Sequence, residues 1–195
     1  FESTLKRVLE CASVAQFGYI ILGASVVTEA GLTASFVHIF NHALAKGALF
    51  LTLAGIGFSL SRMTIDSVAG IASRMPWTMG AFLVGGASLV GIPGTAGFIS
   101  KWYLISAVAS EGGIGILLIA TILISSLMAA VYIWRVIESA YFGTLSNDSS
   151  QLREAPLPLL LGAWIAALAN IYFGLSPDVP LDLAQAAANI LLGNL

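Results

Sequence analysis

Apolar residues fill five long stretches of the sequence, each closed by a short polar, glycine-bearing or proline-bearing break. A helix crosses the ~30 Å hydrocarbon core of a bilayer with about 20 residues, whereas an open strand would leave its backbone groups unpaired there. The pattern therefore predicts an all-α, polytopic membrane helical bundle with helices over about 6–29, 32–60, 76–110, 114–142 and 156–175. Glu29, Ala30 and Gly31 supply a turn after the first helix, and a polar connector from Ser61 to Met75 carries Arg62, Asp66 and Arg74. Pro76 sits where a helix start tolerates proline. The third stretch is too long for one straight crossing, and Gly91, Ile92, Pro93, Gly94, Thr95, Ala96 and Gly97 interrupt it. Proline removes a backbone donor and glycine loosens a helix, so this stretch is predicted to be one helix broken near 91–97. Glu111, Gly112 and Gly113 form the next turn, and the Ser/Asn/Asp-rich 144–155 is a loop. Pro177 and Pro180 end the fifth helix, and 181–194 is predicted to be a short amphipathic helix at the surface.

Composition narrows the class further. The 195 residues are 58% hydrophobic and 9% charged, with a mean hydropathy of +0.94, against about 25% charged in soluble domains. So few charges cannot cover a water-facing surface, and the chain is expected to be a single transmembrane domain in contact with lipid. The run from Val8 to Thr28 is too long for a secretory leader and holds Glu10 and Gln16. The sequence opens at Phe1, with Lys6 and Arg7 flanking its first apolar run as at an internal crossing, which predicts a piece of a longer protein. A net charge of −2 with no basic run excludes a nucleic-acid partner, and the single Cys11 excludes a disulfide framework or a multi-cysteine metal site.

Basic residues give an orientation. With one crossing per helix, Lys6, Arg7, Arg62, Arg74, Arg135 and Arg153 fall on one side, and Glu29, Glu111, Asp178 and Asp182 on the other. Loops rich in Lys and Arg stay cytoplasmic, so these six residues are expected to mark the cytoplasmic side of a multi-pass membrane protein. Reading the broken helix as two crossings would scatter these charges.

Two lysines remain at membrane depth, Lys46 in the second helix and Lys101 just past the break. A lysine at a helix centre costs ~2.5–3.5 kcal/mol on insertion, so each is expected to face protein or a hydrated cavity. Snorkelling to the interface is the structural alternative; it suits lysines nearer helix ends than Lys46. His38, His42 and Lys46 recur every four residues and so share one helical face, with Gln16 of the first helix at similar depth. Histidine titrates near neutrality and a lysine withdrawn from water holds its proton less tightly, so these residue types can pass protons through intervening water. The bland alternative makes the histidines packing groups between helices. Histidines four apart can also chelate zinc, but the next residue on the face is a cation and no carboxylate or thiolate is near, so no metal and no cofactor is expected. The break at Pro93, Gly94 and Gly97 is the second pointer, because unwound backbone at membrane depth persists only beside protein or a water-filled cavity. No nucleophile elbow, nucleotide loop or paired carboxylates appear, so no covalent chemistry of its own is expected.

The segment Leu5 to Leu9 followed by Ser13 to Tyr19, then His38, His42, Lys46 and Gly47, then Gly91 to Trp102, resembles the antiporter-like proton-conducting subunits. That superfamily joins the large subunits of Mrp-type Na⁺/H⁺ antiporters with the membrane-arm subunits of respiratory complex I and membrane-bound hydrogenases. Asn41-His42 with Lys46-Gly47, and Ser100-Lys101-Trp102, are most similar to the D-type large subunit of the Mrp antiporters. The resemblance implies the last five helices of a longer subunit built from two inverted repeats, its first repeat lying outside this sequence. By it Lys101 matches the lysine on the discontinuous helix, Lys46 the central lysine, and His38 and His42 the paired histidines, while Gln16 falls where some relatives carry histidine.

The function expected from these readings is proton conduction along a buried Lys/His/water path in a multisubunit cation/proton antiporter. Other membrane subunits, the lipid bilayer, protons and Na⁺ are the expected partners. A pumping subunit of complex I or a hydrogenase is the alternative, and a scaffold that carries no ions is a third.

Overall fold

The computed structural model describes residues 5–60, 63–145 and 152–193, and within them the chain is a bundle of seven α-helices. These are α1 (Leu5–Ser25), α2 (Glu29–Gly57), α3 (Pro76–Val90), α4 (Ala96–Ala109), α5 (Gly112–Phe142), α6 (Leu157–Leu175) and α7 (Asp178–Leu192), with a 3-10 turn at Ile71–Ser73. Arg62, Asn194 and positions 146–151 of the expected loop lie outside the described residues.

Helix α2 is the central post, packed against α1, α3, α4, α6 and α7. Its start lies earlier than the expected 32. Thr28 adopts extended backbone and its Oγ1 accepts from Gly31 N at 3.1 Å, which satisfies one orphan donor of the first turn. Glu29 then complements the positive helix end. The turn is therefore at 26–28, and Glu29, Ala30 and Gly31 belong to the helix, correcting their assignment as a turn. Helix α7 also starts three residues before the expected 181, because Pro180 sits in the first turn, where a missing N–H costs nothing. Nor does α7 simply float at the surface: Leu181 and Ala184 pack with Val37 of α2, leaving its other face exposed.

Four helices are long and apolar enough to cross a membrane, namely α1, α2, α5 and α6. At 15 and 14 residues, α3 and α4 are each too short for a full crossing. They are the two halves of one discontinuous helix, joined by residues 91–95. Pro76 opens the first half at a tolerated position, and Gly91 closes it in the left-handed region at φ +91°. Exposed Leu, Ile and Met residues on α5 and α6, among them Leu123, Leu127, Met128, Leu161 and Ile165, form an apolar outer belt.

The connecting segments gather at one end of the bundle. Leu5 N donates to Met63 O, Ser139 Oγ to Ile65 O and Ser59 Oγ to Arg153 O, while Arg7 and Arg135 border one groove. At the other end Asn189 of α7 meets Glu29 at 3.3 Å.

Candidate functional site

Helices α1, α2, α3 and α4 converge beside the break on a small cavity of about 10 Å³, bordered by Gln16, His38, Asn41, His42 and Lys101. That volume is close to the least that holds one water.

His38 is 2% exposed, and its Nδ1 lies 2.9 Å from Ser100 Oγ. The Ser100 hydroxyl has one hydrogen, which it donates to Gly97 O at 3.2 Å. Its oxygen is then the acceptor toward His38, so the hydrogen-bond pattern assigns the proton to Nδ1 and leaves Nε2 of the neutral ring with a free lone pair. His42, one turn on and half-buried, lies parallel to His38 with centroids 6.0 Å apart and planes 8° apart. Asn41 donates through Nδ2 to Ala96 O at 2.6 Å. His38 Nε2, Asn41 Oδ1 and His42 Nδ1 are buried and lack hydrogen-bond partners, and all three residues border the cavity. Buried polar groups are nearly always paired, so three unpartnered atoms together mark a polar pocket among the packed helices.

Lys101 is 6% exposed. From the second turn of α4 its side chain doubles back across the break. Its ammonium donates to Leu89 O at 3.0 Å, Val90 O at 2.8 Å and Ser126 Oγ at 2.9 Å, engaging all three hydrogens. The two carbonyls stand at the negative end of α3, where a cation is favoured. A Cβ on Gly91 would come within 2.9 Å of Lys101 Cδ, so glycine provides both the turn and room for the lysine stem. The Tyr19 ring lies 5.5 Å from the ammonium and meets His38 edge-on at 5.3 Å. Its hydroxyl donates to Ile122 O at 3.1 Å.

Lys46 is equally buried, yet it points elsewhere. Its ammonium donates to Leu9 O of α1, stands 5.5 Å from the Phe50 ring and does not border the cavity. Neither lysine snorkels. Gln16 borders both the cavity and a groove of about 670 Å³ between α1 and α5, which Arg7 and Arg135 also line. Pro93 and Gly94 form the link between the half-helices, and Gly97 lies in the first turn of α4. Among the described residues no carboxylate is buried with the two lysines, and no group of three His, Cys, Asp or Glu could hold a metal ion.

Sequence reasoning gave no role to Tyr19, Ser88, Ser126 or Asn170, all of which the structure brings to the lysine or the break. Asn170 carried a signal, being a lone amide within a 19-residue apolar helix. Ser126, one of a serine pair in a long apolar helix, carried none.

A discontinuous membrane helix whose buried lysine lies beside a histidine-lined cavity defines a class of polytopic membrane protein with a polar site inside its helical bundle. Residues 1–133 match the family described as NADH:quinone oxidoreductase/Mrp antiporter, TM, and the chain belongs to that family. It is 40% identical over 154 residues to NADH-quinone oxidoreductase subunit N of Desulforudis audaxviator, covering 79% of this chain and 30% of the relative. It is 30% identical over 191 residues to NADH-quinone oxidoreductase subunit N 2 of Syntrophobacter fumaroxidans, covering 98% and 40%. A chain in the Mrp complex from a Dietzia species has the same fold, with a TM-score of 0.90 at 23% identity over 98% of this chain and 43% of that one. A chain of an archaeal respiratory membrane complex, the membrane-bound sulfane sulfur reductase, matches with a TM-score of 0.81 at 34% identity over 89% and 28%. The chain thus spans well under half the length of these relatives.

Proposed function

We propose that this chain is the proton-conducting half of a membrane subunit in a multisubunit, ion-translocating assembly, with Lys101, His38 and His42 as its proton-exchanging groups. The carrying observation is the small cavity on which His38, Asn41, His42 and Lys101 converge, three of them with unpartnered polar atoms. One water there donates to His38 Nε2 and Asn41 Oδ1 and meets His42 through its oxygen, a normal complement of partners for a buried water. His38 takes a proton at Nε2 from the cavity side and returns it there while its Nδ1–H stays bonded to Ser100 Oγ, so the ring exchanges charge without leaving its seat. Lys101 exchanges its proton on leaving the carbonyl cradle. Gln16 lies where the α1–α5 groove meets the cavity, and Lys46 stands one turn beyond His42 on α2. The groove starts among Arg7 and Arg135, which this reading places on the cytoplasmic side of a bacterial inner membrane.

Two buried ammonium groups, with no carboxylate buried among the described residues, repel a metal cation, which supports protons over Na⁺ as the ion moved through this half. The likeness to subunit N of NADH-quinone oxidoreductase supports assembly with redox subunits. The sequence motifs around His42, Lys46 and Lys101 support the second reading, an Mrp-type cation/proton antiporter. Purification of the full-length protein from native membranes decides between them: quinone-reductase or other redox subunits are expected to accompany it, and an antiporter complex devoid of them would establish the second.

For either assembly, His38→Ala should lower driven proton flux in vesicles by about 10²-fold, the usual contribution of a positioned acid–base group, with the complex still formed. Undiminished flux would remove His38 from the path.

A further inference from the structure

We propose that Asn170 of α6 is a positioning residue that acts through Ser88 to clasp the two half-helices together and so hold the carbonyl cradle against Lys101. Asn170 is 0% exposed and lies outside residues 1–133, the part that defines the family match. Its Nδ2 donates to Ala166 O in its own helix at 2.8 Å, which fixes the orientation of the amide. Its Oδ1 accepts from Ser88 Oγ at 2.6 Å, and that same hydroxyl oxygen accepts from Gly97 N at 3.0 Å. One hydroxyl therefore ties α6 to the last turns of α3 and the first turn of α4. It is the side-chain hydrogen bond that joins the two halves directly, apart from the Lys101 ammonium itself.

The neighbouring geometry shows why this matters to the lysine. Leu89 and Val90, whose carbonyls receive the ammonium, follow Ser88 directly in the chain. Gly174, one turn beyond Asn170, lets the α6 backbone lie against the link: a Cβ there would stand 2.5 Å from Gly94 O and from the Thr95 backbone. Helix α6 thus holds the break at two successive turns, by a hydrogen bond at Asn170 and by backbone contact at Gly174. An amide within an apolar helix is costly unless paired, and its single interhelical partner is Ser88.

The test uses the full-length subunit in its assembled complex. In Asn170→Ala, amide hydrogen exchange over residues 91–100 should quicken about tenfold, the equilibrium equivalent of one net hydrogen bond, while exchange over 157–166 stays as in the wild type. Driven proton transport should fall several-fold with assembly intact. Ser88→Ala should reproduce both effects from the other side of the bond, and it serves as the primary variant if Asn170→Ala fails to assemble. The double variant should be no worse than either single one. Unchanged exchange over 91–100, an equal rise along the whole of α6, or additive effects in the double variant would each overturn the clasp. The transport arm rests on the proton-conducting reading and the exchange arm does not. If Lys101→Ala leaves flux intact, that reading fails; if exchange in both single variants is unaltered, the clasp fails.

Discussion

Lys101→Ala is expected to lower driven proton transport in reconstituted vesicles by about a hundredfold or more, the loss that follows removal of a positioned proton-transfer group. Here the ammonium is the group that spans the two half-helices, donating to Leu89 O, Val90 O and Ser126 Oγ. Among the described residues, no other titratable side chain borders both the cavity and this cradle. Lys101→Arg sharpens the expectation. A guanidinium keeps the positive charge but does not give up its proton in proteins, so Arg should be as inactive as Ala. Transport restored by Arg would mean that charge alone suffices, and that the side chain pins the break without exchanging a proton. The measurement is acidification of the vesicle lumen with equal amounts of assembled complex.

Gly97→Ala should have the largest effect on stability. A Cβ at this position would overlap the backbone carbonyl oxygen of Ser88, because α3 and α4 cross there with only a glycine between them. Overpacking usually costs ~1–3 kcal/mol when side chains can shift. In this case the obstacle is main chain, so the cost should reach or exceed the top of that range. Opening the crossing would also break the bond from Gly97 N to Ser88 Oγ and move Ser100 and Lys101 on the same helix. Thermal unfolding of the purified protein should show a large drop in midpoint. Wild-type stability in this variant would contradict the tight crossing.

Much of the architecture was legible because hydropathy and proline are strong signals in a membrane. The apolar stretches located α1, α2, α5 and α6, and the run from Gly91 to Gly97 located the break. The four-residue spacing of His38, His42 and Lys46 put them on one face, and the two imidazoles do stack. That spacing could not show where a flexible stem ends. Lys46 shares the face by its Cα, yet its ammonium reaches Leu9 on α1. The start of α2 was misplaced because Thr28 and Glu29 look like a polar turn, although in that order they are a cap and a first-turn acid. Tyr19, Ser88, Ser126 and Asn170 escaped notice for a different reason. The tyrosine and the serines are common in membrane helices, and all four residues gain their role from a partner on another helix, which periodicity within one helix does not report.

In the proposed path the cavity links the histidines to Lys101, and Ala45→Val probes that link while leaving every titratable group in place. Ala45 borders the cavity and is 2% exposed, so two added methyl groups should encroach on a space of about 10 Å³. With the complex assembled to wild-type levels, proton flux should fall at least tenfold, since the proposed path joins its two sides by one water-mediated step. Flux equal to the wild type in that filled variant would show that protons do not pass this way.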